Sequence, residues 1–367
     1  MKVRAVVLEP GEGDPDTAAF LRKYLDKAQS ESGNYRVAAY ADIGILAMHY
    51  NCLDIAEEAL GRAASLGERL DVTVAKGPES AKFFKGEPHE RALLWFYLGV
   101  HDYAGGDYEN ARACFRRAAL QDALAEKSID RGDWFAMDLL EAMADYCTRR
   151  IADEDLLRQM RARYLDRAAN DKNATREDIE ALLNMPCDAD VVVIVTLGPP
   201  PRKIGYGTGG AQLGYQRQES KVSHVRMVAS GKPLPVPVTD DTYVQAVTRG
   251  QRKADEVLQY EQQNKEMIEA GARGLQAIGQ AGGTYGLPLT IVAHFLTEHA
   301  AQKDCSADTR QVQLLPGRIL IWFGKKAEIG QSLSLEFYDA DGKVIARTDP
   351  VTIPAAGNTV VLARYGG

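Results

Sequence analysis

The sequence predicts an α+β protein in two parts. An all-α region of helical hairpins spans residues 1–185, and a smaller antiparallel-sheet domain spans 186–367 with a helical insertion near 245–302. Three observations carry this. Apolar residues recur at helical spacing through the first half. Two stretches of that half match each other at a fixed offset. From Pro186 onward, β-branched runs bounded by Gly and Pro replace the helical period.

The first predicted helix covers Asp16–Ser30, where Ala19, Phe20, Tyr24, Leu25 and Ala28 mark one face. Asp14 and Pro15 supply a start signal, because proline fits the first helical turn. Residues 36–66 and 92–120 each read as two short helices around a turn. Tyr40, Ile43 and Gly44 fall on Trp95, Leu98 and Gly99, and Ala56, Leu60 and Ala63 fall on Ala111, Phe115 and Ala118. All six pairs share one offset of 55 residues. Small residues sit where helices must touch and large ones lie between. Such a hairpin cannot bury its own apolar face and stacks on copies of itself.

These hairpins resemble tetratricopeptide repeats, whose pattern is an aromatic, then Leu-Gly, then Ala, Phe and Ala in the second helix. The second copy also carries that family's turn as Gly106-Asp107-Tyr108. Residues 71–90, rich in Gly and Pro, are expected to form a loop between the copies. Trp134, Leu139, Leu140, Met143 and Tyr146 predict a further helix, followed by another over Leu157–Ala168. The arginines of that last stretch alternate with acids, which predicts a solvated, salt-bridged face.

In the second half, VVVIVTL at Val191–Leu197 reads as a buried strand ended by Pro199–Pro201. Val222–Ala229 and Leu234–Val238 predict two more strands around a Gly231-Lys232 turn. Residues 245–280 return to helical spacing with a polar middle, and Leu289–Ala301 reads as a further apolar helix. Arg318–Phe323, Leu333–Tyr338, Lys343–Arg347 and Thr359–Arg364 predict a closing set of strands. Asp339–Gly342 forms a hairpin turn, since Asp-Gly tolerates positive φ.

Three segments extend the resemblance to a family of bacterial cell-envelope lipoproteins of unassigned function: GEPHERALLWFYLGVHDYAGGDYENARACFRRA, VSHVRMVASGKP, and DTRQVQLLPGRI with SLEFYDADGKVI. That resemblance implies a periplasmic or outer-membrane-associated protein. The family usually begins with a signal and a lipidated cysteine, whereas MKVRAVVLEPGEGDPD is too polar and too short in its apolar run for a signal peptide, so that either a leader was removed or none is used. The alternative location is therefore the cytoplasm.

A net charge of −7 and a pI near 5.5 argue against a general nucleic-acid binder. No window holds the run of apolar residues that a membrane helix needs. The five cysteines form no CxxC, which predicts small buried side chains in place of a disulfide or zinc framework. Gly205–Gly210 contains GxGxxG, but prolines precede it and strand-like sequence follows, so it predicts a flexible or closely packed loop. His294 and His299 are five apart, off the four-residue spacing of a zinc helix. No GxSxG or P-loop occurs, and Asp240-Asp241 predicts a turn.

The sequence thus predicts a non-enzymatic protein–protein interaction scaffold with no catalytic, metal or cofactor residues. In tetratricopeptide domains the first helix of each hairpin lines the groove. The resemblance therefore implies partner binding at Ile45, Met48, His49, Phe96, Val100 and Tyr103. Two alternatives stand beside this reading. One is an enzyme or small-molecule binder using the C-terminal domain, with Gly205–Gly210 at its mouth. The other is a homo-oligomer or structural subunit of a larger envelope assembly.

Overall fold

The computed structural model describes residues 3–11, 13–30, 35–68, 83–123, 134–151, 155, 157–160, 162, 165, 188–248, 253–281, 297 and 306–366. The chain is α+β. It begins with a strand, β1 (Arg4–Leu8), followed by helices α1 (Pro15–Ser30), α2 (Arg36–His49), α3 (Leu53–Glu68), α4 (Pro88–Ala104), α5 (Tyr108–Ala123) and α6 (Phe135–Arg149). Strands β2 (Val191–Leu197), β3 (Arg202–Tyr206), β4 (Gln212–Gln216), β5 (His224–Ala229), β6 (Lys232–Val236) and β7 (Val238–Asp241) come next. Helices α7 (Thr242–Val247) and α8 (Lys253–Ala281) intervene. The chain closes with β8 (Arg318–Gly324), the short α9 (Lys326–Ile329), β9 (Ser332–Tyr338), β10 (Val344–Arg347), β11 (Val351–Thr352) and β12 (Thr359–Tyr365).

Both expected hairpins are helix–turn–helix, α2–α3 and α4–α5. Their seams are built alike. A Cβ added to Gly44 would lie 2.5 Å from Leu60, and one added to Gly99 would lie 2.5 Å from the Phe115 ring. The absent side chain is what lets each helix pair approach. The turns correspond too, since Asn51 (φ 57°) and Gly106 (φ 82°) hold left-handed backbone at matching positions. Asparagine is one of the few residues with a side chain that enters this region readily.

The central sheet runs β1-β12-β2-β8-β7. β2 lies in its middle and is buried along its whole length, which explains why its sequence is apolar without alternation. Val192 and Ile194 face the helices together with Ile319, Ile321, Phe323, Val360 and Leu362. Val191, Val193 and Val195 face the opposite way with Leu320, Trp322 and Val361. That second face packs on another sheet, β10-β9-β5-β6, and Phe337 stacks on Tyr365 across the gap at 5.4 Å. The result is three layers: helices, a five-stranded sheet, and a smaller sheet.

Several expectations are corrected. β1 was not legible; it pairs antiparallel with β12, so the first strand belongs to the C-terminal sheet and the helical region does not own residues 4–8. The sheets are antiparallel except at β12 and β2, which run parallel. Pro88–Glu90, expected in a loop, opens α4 with Pro88 in its first turn. Asp240 and Asp241 end β7 instead of forming a turn. The β5–β6 turn sits at Ser230-Gly231, one residue earlier than expected, and both residues have positive φ as a two-residue hairpin requires. β6 is an edge strand carrying Pro233 and Pro235, which blunt the edge against further pairing. The helix expected at Leu289–Ala301 apart from Thr297, half of the one at 157–168, and the loop over 71–82 lie outside the described residues, as do His294, His299, Cys187 and Cys305.

Candidate functional site

The six residues expected to line a groove are all in the core. Ile45, Met48 and Phe96 are fully buried, Val100 and Tyr103 nearly so, and His49 is 7% exposed. The reason is the layer order. α2 and α4 pack on β12, and α6 packs on β7 and β8, so the helix faces that would line an open groove rest on the chain's own sheet. Burial of large apolar side chains of this kind stabilises by about 1.5–3 kcal/mol each. Burial, with some help from Arg364, pushes the His49 imidazole down to about 3, so the ring is neutral.

Beside this core runs a polar seam that sequence reasoning missed. Glu90, in the first turn of α4, is 2% exposed. Its Oε2 accepts from the Glu87 N–H at 2.7 Å and from Lys203 Nζ at 2.5 Å, and its Oε1 accepts from the Val312 N–H at 3.0 Å. Lys203, on β3, also donates to the Arg310 carbonyl at 2.8 Å and lies 5.0 Å above the Phe84 ring. The Arg310 guanidinium pairs with Asp308 and lies over both Tyr35 and Phe84. On α2, Asp42 accepts from the Leu314 N–H at 2.7 Å. Burial pushes the Asp42 carboxyl up to about 6 against the opposing pull of the Leu314 and Gln313 amides and Arg364. GEPHE and DTRQVQLL were visible as segments, but nothing local announces that one clamps the other.

The β3–β4 ribbon stands apart from both large sheets. Lys203 anchors its inner face, whereas Ile204 (36% exposed) and Tyr206 (45%) project outward across from Gly214 and Gln212. Of the Gly205–Gly210 stretch, Gly205 and Tyr206 belong to β3, and the ribbon's turn is Gly207–Ala211. It is a closely packed loop: a Cβ on Gly209 would fall 2.6 Å from Gln262 of α8. α8 has 29 residues and is about 43 Å long at 1.5 Å per residue. Tyr260 and Met267, two turns apart on it, are 66% and 64% exposed.

Asp240 and Asp241 also have structural partners. Asp240 is fully buried and accepts from the Phe135 and Ala136 N–H groups at the start of α6. Asp241 caps α7 and pairs with Arg217 at 2.5 Å. Cys52, Cys114 and Cys147 are free thiols. Burial, then Asp102, pushes the Cys114 thiol up to about 12, which keeps it protonated at neutral pH. Among the described residues no cluster of three or more His, Cys, Asp or Glu is placed to hold a metal, and no helix is long and apolar enough to cross a membrane. A cavity of about 330 Å³ lies beside Val3–Ala5 and Asp349–Val351, with no residue of Gly205–Gly210 in its lining.

No protein-family model, curated protein or solved structure matches this chain.

Proposed function

We propose that this protein is a non-enzymatic protein–protein interaction module whose contact surface is the β3–β4 ribbon together with α8. The observation that carries this reading is the outward display of Ile204, Tyr206, Tyr260 and Met267 on two adjoining elements. Aromatic side chains and methionine anchor interfaces through large or adaptable contact area. A sheet covers the helix faces on which the first expectation placed the partner, so the surface is assigned elsewhere. The matched seams at Gly44 and Gly99 and the matched turns at Asn51 and Gly106 support a tetratricopeptide-like origin for the two hairpins. The resemblance to envelope lipoproteins supports work in the bacterial cell envelope.

The test is site-specific photocrosslinking in intact cells. A photoreactive phenylalanine replaces Tyr206, Tyr260, Met267 or, as a control, Phe20, which is exposed on α1. Discrete adducts with a second protein at the first three positions and none at position 20 are expected. No adduct at any position, or equal adducts at all four, contradicts the assignment.

A further inference from the structure

Residues 306–316, SADTRQVQLLP, cross the molecule with no strand partner, yet their backbone is well satisfied. The Val312 N–H goes to Glu90 and the Leu314 N–H to Asp42. The Arg310 carbonyl takes Lys203, the Leu314 carbonyl takes Arg364, and the Pro316 carbonyl takes the Thr242 hydroxyl. Five elements therefore hold this segment by side chain to main chain. Its own side chains are sorted as well. Val312 and Leu315 are fully buried, Arg310 lies over Tyr35 and Phe84, and Thr309 and Gln313 face solvent. This is how a protein holds a bound peptide: polar clamps on the main chain, and pockets for selected side chains.

We propose that Ser306–Pro316 is an intramolecular ligand, occupying a peptide-binding cleft formed by α2, α4 and β3. A partner peptide of the same chemistry enters this cleft only by displacing it. The chemistry is specific. The partner needs a cation for the two aromatic rings, an aliphatic side chain two residues on for the Val312 pocket, and free amides for the Glu90 and Asp42 carboxylates. The strap is held at its C-terminal end, where Gly317 donates to the Leu197 carbonyl and β8 begins, and near its N-terminal end, where the Ala307 N–H donates to the Gly210 carbonyl at 2.9 Å. Tethering gives the strap a high effective concentration, which keeps the cleft closed to weak competitors. The inference is separate from the ribbon surface, since it is read out at different residues.

Two measurements on the full chain decide it. In the unmodified protein, the amides of Val312 and Leu314 exchange hydrogen at least about 100-fold faster than that of Val193 in the central strand, because the strap opens locally. In the Arg310→Ala, Val312→Ser variant, a fluorescein-labelled SADTRQVQLLP peptide binds saturably and a scrambled peptide does not. Adding Glu90→Gln weakens that binding by about tenfold, the worth of one charge-assisted hydrogen bond. Exchange of Val312 and Leu314 at the rate of Val193 shows that the segment opens only on global unfolding and overturns the proposal. So does a natively folded double variant that fails to bind the peptide. If that variant does not fold, the exchange comparison decides alone.

Discussion

Lys203 on β3 and Glu90 on α4 meet at 2.5 Å, and their side chains are only 1% and 3% exposed. They are 113 residues apart in sequence. The pair ties the ribbon to the helical layer and fixes the carboxylate that holds Val312. Removing one partner leaves a buried charge uncompensated, which costs about 3–5 kcal/mol, whereas removing both costs far less than the sum. Glu90→Gln and Lys203→Met are each expected to destabilise by that order, and the double variant to recover part of the loss. Urea denaturation of the full mutant cycle gives the coupling. Additive losses would show that the two residues act independently.

Two glycines in neighbouring helices are expected to respond in opposite directions to the same change. Gly99→Ala drives a methyl into the Phe115 ring, an overpacking that costs about 1–3 kcal/mol. Gly61 sits inside α3 with open space around its missing Cβ. Gly61→Ala therefore stabilises by about 0.5–1 kcal/mol through helix propensity. Melting temperatures of the two variants, one down and one up, check this.

His49 and Asp42 lean in opposite directions with pH. The folded state holds His49 at about 3 against an ordinary 6.5, so the unfolded chain takes up a proton that the folded one refuses. That contribution to stability is full above pH 6.5 and falls by about 1.4 kcal/mol per unit as pH drops toward 3. Asp42 is raised from 3.8 to about 6, so its contribution is full below 3.8 and is lost as pH rises through 6. Between about pH 6 and 4 the two offset each other. His49→Phe should make the protein gain stability on acidification across this window relative to the parent. Asp42→Asn, which keeps an acceptor for Leu314, should make it lose stability. Denaturation midpoints at pH 4, 5, 6 and 7 test the signs, and identical slopes for the two variants would refute the assignment.

Asp240 caps a helix from another element. Both of its oxygens accept from the first two N–H groups of α6, and no water can replace it at full burial. Asp240→Ala orphans both donors and should cost at least about 1.5–3 kcal/mol, with α6 loosening from β7. Hydrogen exchange confined to α6 that rises in the variant is the expected signature; unchanged exchange would mean that the cap is dispensable.

What was legible in the sequence was local. VVVIVTL announced a strand buried on both faces, and the small residues Gly44 and Gly99 announced close helix contacts, which the structure makes with Leu60 and Phe115 on the facing helix of each hairpin. The Asp339–Gly342 turn follows from backbone preference alone. What was not legible depends on pairing across the chain. Arg4–Leu8 is too short to read as a strand until β12, 352 positions beyond Leu8 at Val360, supplies its ladder. Ile45, Met48, Phe96 and Val100 are apolar residues of the inner helix faces. What faces them, β12 and its neighbours, could not be read from the hairpins themselves. The Glu90–Lys203 pair was not legible because nothing adjacent in sequence shows that each is the other's partner.

The inner faces of the hairpins are core shared with the sheet, so helices and sheet are expected to unfold as one body. A variant with Trp95→Phe and Trp134→Phe keeps Trp322 of β8 as its one tryptophan. Its fluorescence then reports the sheet, while far-ultraviolet circular dichroism of the same sample is dominated by the helices. Both signals are expected to change in a single urea transition with one midpoint, as a cooperative unit does. Loss of helix at a midpoint well separated from the Trp322 transition would show two independent domains, and would return Phe96 and Tyr103 to an open groove.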